Sequence, residues 1–438
     1  MKKRLLAVLL CLVISVCLCG CDLFTANTQE LLSPPELTGD MYPIEKALKN
    51  SVKVEYTLKY PTEGDRRSAI IMEDVDSDGS MEAFAFYSTS NQEQINMHIN
   101  FISYKGGEWS SVAEQSIVAG GVERVTFCDL DMDGTQEILV GWEIYSSSEK
   151  QLCVYSVSAG TLALRLQQQY TNFVCCDLNS DGDNEVFVQQ LNTSEGTNKA
   201  LVLSLTEQGV EQTAGCIMDG TVKTVNEPIV SQLPSGQPAI YIDEFKGAGA
   251  ITEVLFFLKG ELVNPLLDVE NAYENIATLR SAALVCKDIN SDGTIEIPVA
   301  VDLPSAEPVG EKLYYTNWCS YTGEQLALKL VSVVNLTDGY YISVPGRHLG
   351  NISVLKDTEN RIRKIYAYDS AQELTGELLL TIYAVPIKKA AKSEAVKDGA
   401  EEICRTDSMV YFALVGKTEN PLALTLDEVK GMFNIIGG

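Results

Sequence analysis

The stretch "DVDSDGSMEAF", residues 74–84, sets Asp74, Asp76 and Asp78 at alternate positions, follows them with Gly79 and closes with Glu82. Two like charges about 4 Å apart repel by roughly 4 kcal/mol at an effective dielectric near 20. So dense a group of carboxylates requires a cation or a set of donors to neutralise it. Loops of this spacing wrap calcium, with side-chain oxygens at positions 1, 3 and 5, a backbone carbonyl at 7 and a carboxylate further on. Glycine at position 6 permits the sharp turn.

The pattern returns three times, as DLDMDGTQE at 129–137, DLNSDGDNE at 177–185 and DINSDGTIE at 288–296. The expected metal ligands are therefore Asp74, Asp76, Asp78, Ser80 and Glu82; Asp129, Asp131, Asp133, Thr135 and Glu137; Asp177, Asn179, Asp181, Asp183 and Glu185; and Asp288, Asn290, Asp292, Thr294 and Glu296. Up to four calcium ions are expected. An EF-hand needs a glutamate at position 12 and a helix on each side. Position 12 here is Ala85, Val140, Val188 or Val299, none of which ligates. The flanks, such as AIIM before and AFAFY after the first loop, are short, apolar and β-prone, which predicts strand, loop, strand.

The loop starts lie 55, 48 and 111 residues apart, and the last interval predicts a degenerate copy between the third and fourth loops. We assign it to residues 239–258, with Phe245 and Gly247 at ligand positions and Glu253 following Asp243, and expect this turn to fold without metal. Each unit continues into a hairpin turned at Gly106-Gly107, Gly160, Gly209, Gly260 or Gly323. Units of about four strands repeating in this way match propeller blades.

With these motifs the chain resembles the integrin-type FG-GAP and VCBS-like repeat family over about residues 60–335. That resemblance implies a mainly β fold, a β-propeller of five to seven blades with calcium loops between the first two strands of a blade. Segment 52–60 is expected to lend a closing strand, and 338–438 to form a small α+β domain. Its last helix should start at Thr425, with Glu428 completing a capping box and Leu426, Val429, Phe433 and Ile436 on one face.

The chain opens with Lys2, Lys3 and Arg4 ahead of an apolar run from Leu5 to Leu18, too short to span a bilayer as a helix. Leu18, Cys19, Gly20 and Cys21 resemble a bacterial lipobox, which implies a signal peptide over 1–20 and a lipid anchor on Cys21. Residues 21–43 read as a spacer and 44–337 as the repeat domain. The expected location is the bacterial cell envelope, on the extracytoplasmic face of the membrane.

Loss of residues 1–20 takes the net charge from -27 to -30, which argues against nucleic acid as a partner. Eight cysteines lie beyond Cys21 without a CxxC pair, and the chain has two histidines, so zinc is not expected. Cys128, Cys176 and Cys286 precede acidic loops and read as packing residues. Trp109, Trp142 and Trp318 read as core, with sugar stacking as the alternative. No GxSxG, HExxH or P-loop pattern occurs. The reading is a non-catalytic binding or scaffolding lipoprotein with a protein, glycan or cell-wall ligand. The alternatives are a polysaccharide lyase or hydrolase, or an accessory subunit of an envelope or sensory complex.

Overall fold

The computed structural model describes residues 41–438 apart from 91–94, 145–149, 159, 207–208, 271–272, 281–283, 305–312 and 437–438. The expected signal peptide, Cys21 and most of the spacer lie outside the described residues.

The chain folds as six antiparallel sheets in sequence order. The first contains Ile70–Glu73, Glu82–Ser90, Ile95–Lys105 and Glu108–Val118, each strand paired with the next. Gly121–Cys128, Glu137–Glu143, Lys150–Ser158 and Thr161–Tyr170 repeat that order in the second sheet. Asn172–Cys176, Glu185–Asn192, Thr197–Thr206 and Gly209–Ile217 repeat it in the third. The turns between third and fourth strands contain Gly106, Gly107 and Gly160, all at positive φ, where a side chain would strain the backbone.

Alternation along each strand covers both of its faces, as the period of two requires. Phe84 and Phe86 of the first sheet pack with Val125, Ile138, Val140 and Trp142 of the second. Leu139 and Val154 of the second sheet meet Val186 and Val188 of the third. Phe187 and Val202 meet Ile240 and Ile242 of the fourth sheet, and Tyr241 and Phe256 continue to Ile297 and Tyr321 of the fifth. The end faces are covered by helices. Ala83, Ala85 and Tyr87 face Ile44, Ala47 and Leu48 of α1 (Tyr42–Ser51), while Tyr383, Val410 and Phe412 of the sixth sheet face Ala390 and Ala395 of the 387–398 helical segment.

Several expectations are revised. Thr57–Leu58 pairs with Ser88 and Tyr87, so segment 52–60 lengthens the first sheet beside its second strand. Tyr340–Ser343 is the fourth strand of the fifth sheet, so strand pairing runs across residue 338. The C-terminal helix is shorter than its apolar spacing suggests. It runs Leu426–Met432 with the Thr425/Glu428 capping box formed, and Phe433–Ile435 then pairs with Tyr340–Ile342 as a fifth strand. Phe433 stacks on Tyr340 there, a tertiary contact that ends the helix early.

The fourth sheet also corrects the register of the repeat. Its second strand is Pro238–Lys246 and its third Gly249–Leu258, so residues 239–258 form the hairpin after the loop position rather than the degenerate loop. Leu233–Gln237 occupies the place of the acidic loop, closed by a hydrogen bond from Leu233 N–H to the Gln237 carbonyl (2.8 Å) after the first strand, Ile229–Gln232. Leu233 is buried there in the manner of Val75, Leu130 and Leu178 in the acidic loops.

This sheet neutralises its carboxylates from within the chain. Arg280 Nη2 lies 2.8 Å from Asp243, and Lys246 Nζ lies 2.7 Å from Asp219 and 3.1 Å from Glu274. Glu244 accepts from Gln189 Nε2 (2.7 Å) and Asn198 Nδ2 (2.9 Å). Glu253 accepts from Asp219 N–H (3.0 Å) and Asn264 Nδ2 (3.1 Å). Both glutamates are fully buried, and Oε2 of each has no hydrogen-bond partner. Burial pushes both carboxyls up, Glu253 to about 7, and the mutual repulsion of the pair raises Glu244 further.

A raised folded pKa means that the folded state holds a proton which the unfolded chain releases above about pH 4.5, so this contribution is lost as pH rises toward 7. Glu253→Gln keeps the acceptor oxygen and removes the titration. Chemical denaturation should show the variant more stable than the parent above pH 7, by about 1–3 kcal/mol, with the advantage vanishing below pH 4.5.

Candidate metal centres

Four short sequences with one pattern fold into one geometry. In each acidic loop the residue at position 4 adopts a left-handed conformation, with φ of 55° at Ser77, 53° at Met132, 64° at Ser180 and 61° at Ser291. Gly79, Gly134, Gly182 and Gly293 follow at φ of 88°, 92°, 104° and 85°. A side chain at those glycines would be strained, which is why position 6 carries none.

The first aspartate organises each turn. Gly79, Gly134, Gly182 and Gly293 donate their N–H groups to Oδ2 of Asp74, Asp129, Asp177 and Asp288 at 3.1, 2.9, 3.2 and 2.9 Å. The N–H at position 5 bonds the oxygen at position 3, from Asp78 to Asp76, Asp133 to Asp131, Asp181 to Asn179 and Asp292 to Asn290. The N–H groups of Ser80, Thr135, Asp183 and Thr294 in turn bond the carboxylates of Asp78, Asp133, Asp181 and Asp292 at 2.7, 2.7, 3.0 and 2.9 Å. These bonds hold the carboxylates together on one side of the turn.

The glutamate at position 9 opens the strand that follows the loop and is buried in all four sheets, no more than 5% exposed. Its Oε2 accepts the N–H of position 2, from Val75 to Glu82 (3.2 Å), Leu130 to Glu137 (3.2 Å), Leu178 to Glu185 (2.9 Å) and Ile289 to Glu296 (3.1 Å). Burial pushes each of these carboxyls up, and the neighbouring aspartates add repulsion. A cation beside them would reverse that balance.

Some of the expected ligands are brought together in the first two loops. Asp74, Asp76 and Asp78 place carboxylate oxygens within 4.8 Å of one another, as do Asp129, Asp131 and Glu137. The third and fourth loops carry asparagine at position 3. Asn179 Nδ2 bonds Asp181 (2.8 Å) and Glu185 (2.7 Å), and Asn290 Nδ2 bonds Asp292 (3.0 Å). The amide nitrogen lies between carboxylates where the other loops have only oxygen.

Oδ1 of Asp177 is buried without a hydrogen-bond partner. The clustered carboxylate oxygens of the first two loops fit a hard divalent cation such as calcium and do not fit zinc, while in the third and fourth loops the asparagine side chain would have to present its oxygen in place of its nitrogen to do the same. The sequence reading missed position 2, whose N–H secures the glutamate and whose side chain is buried in the first three loops. The recurrence of Val75, Leu130, Leu178 and Ile289 was its available signal.

The other candidates are packing residues. Trp142 is fully buried, Trp318 donates Nε1–H to Ser332 Oγ (2.9 Å), and Trp109 packs on Tyr104. Burial lowers the pKa of His348, whose Nε2 lies 2.9 Å from the Leu422 carbonyl. His98 stacks on Tyr87 and contacts Glu114. The eight cysteines from Cys128 to Cys404 are free thiols. Between the fifth and sixth sheets lies a cavity of about 290 Å³ whose charged lining residues, among the described residues, are Arg280, Lys356 and Arg363. No helix among the described residues is long and apolar enough to cross a membrane.

No protein-family model matches the sequence, and no curated protein does. Among solved structures, the chain is similar to the exotype rhamnogalacturonan lyase YesX at 12% identity, covering 74% of this chain and 84% of that one with a TM-score of 0.31. It is similar to the periplasmic gluconolactonase PpgL of Pseudomonas aeruginosa at 14% identity, covering 74% and 88% with a TM-score of 0.32. The Bacillus licheniformis rhamnogalacturonan lyase PL11 matches at 11% identity, covering 73% and 76% with a TM-score of 0.31. Scores this low assign neither fold nor activity to the chain.

Proposed function

We propose that the chain is an extracytoplasmic lipoprotein, anchored by acylated Cys21, whose sheets are FG-GAP-type repeat units in an open, propeller-like series stabilised by up to four calcium ions. Its task is binding or scaffolding, without catalysis, for a protein, glycan or cell-wall ligand. Support comes from one observation above all, the four acidic loops that repeat one turn, closed on the first aspartate by the glycine N–H. Asp74, Asp76 and Asp78, with their counterparts in the other loops, would hold the ions. Bound calcium supplies charge neutralisation there and a tie between the first two strands of a blade.

Extracellular calcium modules bind at about 0.1–1 mM. At about 1 mM calcium such a site stabilises the fold by roughly 0.4–1.4 kcal/mol. Four sites together then contribute roughly 2–6 kcal/mol, a large part of an ordinary folding free energy. Chelation should lower the melting temperature of the purified protein by several degrees, with recovery on adding calcium. Replacing Asp129, Asp131 and Asp133 together by asparagine should remove about one ion from the calorimetric count, and an unchanged count would refute the assignment of that loop. Cys21→Ser should move the protein from the membrane fraction to the soluble fraction of producing cells; retention on the membrane would refute the anchor.

A further inference from the structure

The acidic loops do not stand alone. Gln136, at position 8 of the second loop, donates its N–H to the Val75 carbonyl of the first (2.7 Å), and Ser77 Oγ of the first donates to the Gly134 carbonyl of the second (3.0 Å). Asn184, at position 8 of the third loop, donates Nδ2 to the carbonyl of Asp129, the opening ligand of the second (2.9 Å). Its amide also lies 3.8 Å from Met132 Sδ. Position 8 of the second and third loops therefore grips the loop before it, at its second residue in one case and its first in the other.

The fourth acidic loop has no such neighbour. The preceding sheet carries Leu233–Gln237 in place of an acidic loop, and position 8 is Ile295, an apolar residue packed into the core between the fourth and fifth sheets. Its contact outside its own turn is Lys329, 3.8 Å from Asp292 and within the same sheet. The first loop, which has no predecessor in the series, likewise has an apolar residue at position 8, Met81.

We propose that Asn184, Gln136 and Ser77 are positioning residues that join the first three loops into one coupled row of calcium sites, while the fourth loop binds on its own. The proposal rests on the calcium reading above. Binding orders a loop, and ordering the third loop fixes Asn184, which fixes the carbonyl of Asp129 and with it the first ligand of the second loop. A neighbour whose ligands are already placed loses less freedom when it binds, and that is positive coupling. The link between the second and first loops runs through Gln136 and Ser77 in the same sense. The row gives a sharper response to calcium than four separate sites of equal affinity.

Isothermal titration of the purified protein with calcium chloride tests this. The parent should take up four ions in two phases, three with a Hill coefficient above 1 and one independent. Asn184→Leu removes the donor without touching a ligand. It should raise the midpoint of the three-site phase about fivefold, the lower range of measured couplings, and reduce its Hill coefficient. The independent phase should stay unchanged. Ser77→Gly keeps the left-handed backbone, removes the hydroxyl and should weaken the same phase; it carries the test if Asn184→Leu does not fold. Four ions bound with equal, independent affinity, or variants with the parent's isotherm, would overturn the coupling and leave the calcium reading standing. No calcium uptake by the parent would overturn both.

Discussion

The hydrogen bond from the N–H of position 2 to the buried glutamate at position 9 sets the geometry on which the sheets depend. It spans the acidic turn at its base and fixes where the second strand starts relative to the first. The glutamate is buried because it opens a strand with packed faces, and in the first three loops the side chain at position 2 is buried in the core. Above that bond the chain has a few residues in which to reverse direction, and left-handed backbone at positions 4 and 6 achieves it. The aspartates are drawn together as a consequence. Their mutual repulsion is the cost of the turn, and an oxygen-seeking cation is the group that removes it.

The stacking of the sheets follows from the same alternation. A strand with apolar residues on both faces must be covered twice, and each inner sheet is covered by the sheets before and after it. The end sheets lack a second neighbour in the series. Helix α1 covers the first and the 387–398 helical segment the last, much as terminal caps close a repeat array. The fourth sheet shows that the design does not require the acidic loop. Leu233 still fills its core position, and Lys246, Arg280 and buried protons balance the carboxylates nearby.

Much of this was legible in the sequence, because the decisive features are local. Five-point spacing, apolar flanks and the absence of a ligand at position 12 together predict strand, loop, strand; the first three acidic loops have that form, while the fourth is preceded, among the described residues, by an isolated bridge of Lys287 with Glu296. The C-terminal capping box was equally readable, since it needs only Thr425 and Glu428. What escaped was non-local. The hairpin 239–258 looked like a loop with its strands because its own residues match either register, and only pairing with Ile229–Gln232 decides between them. Phe433 matches a helical period, but stacking on Tyr340 and pairing with Ile342 turn it into a strand. The tie from Asn184 to Asp129 spans two sheets and leaves no periodic trace.

The account stands on cations held in four equivalent turns. Its most direct test is a crystal structure at saturating calcium, with anomalous data to identify the metal. The account predicts one calcium peak in each of the loops starting at Asp74, Asp129, Asp177 and Asp288, about 2.3–2.6 Å from the oxygens of positions 1, 3 and 5. Four empty loops at that calcium concentration, with the turns unchanged, would contradict it.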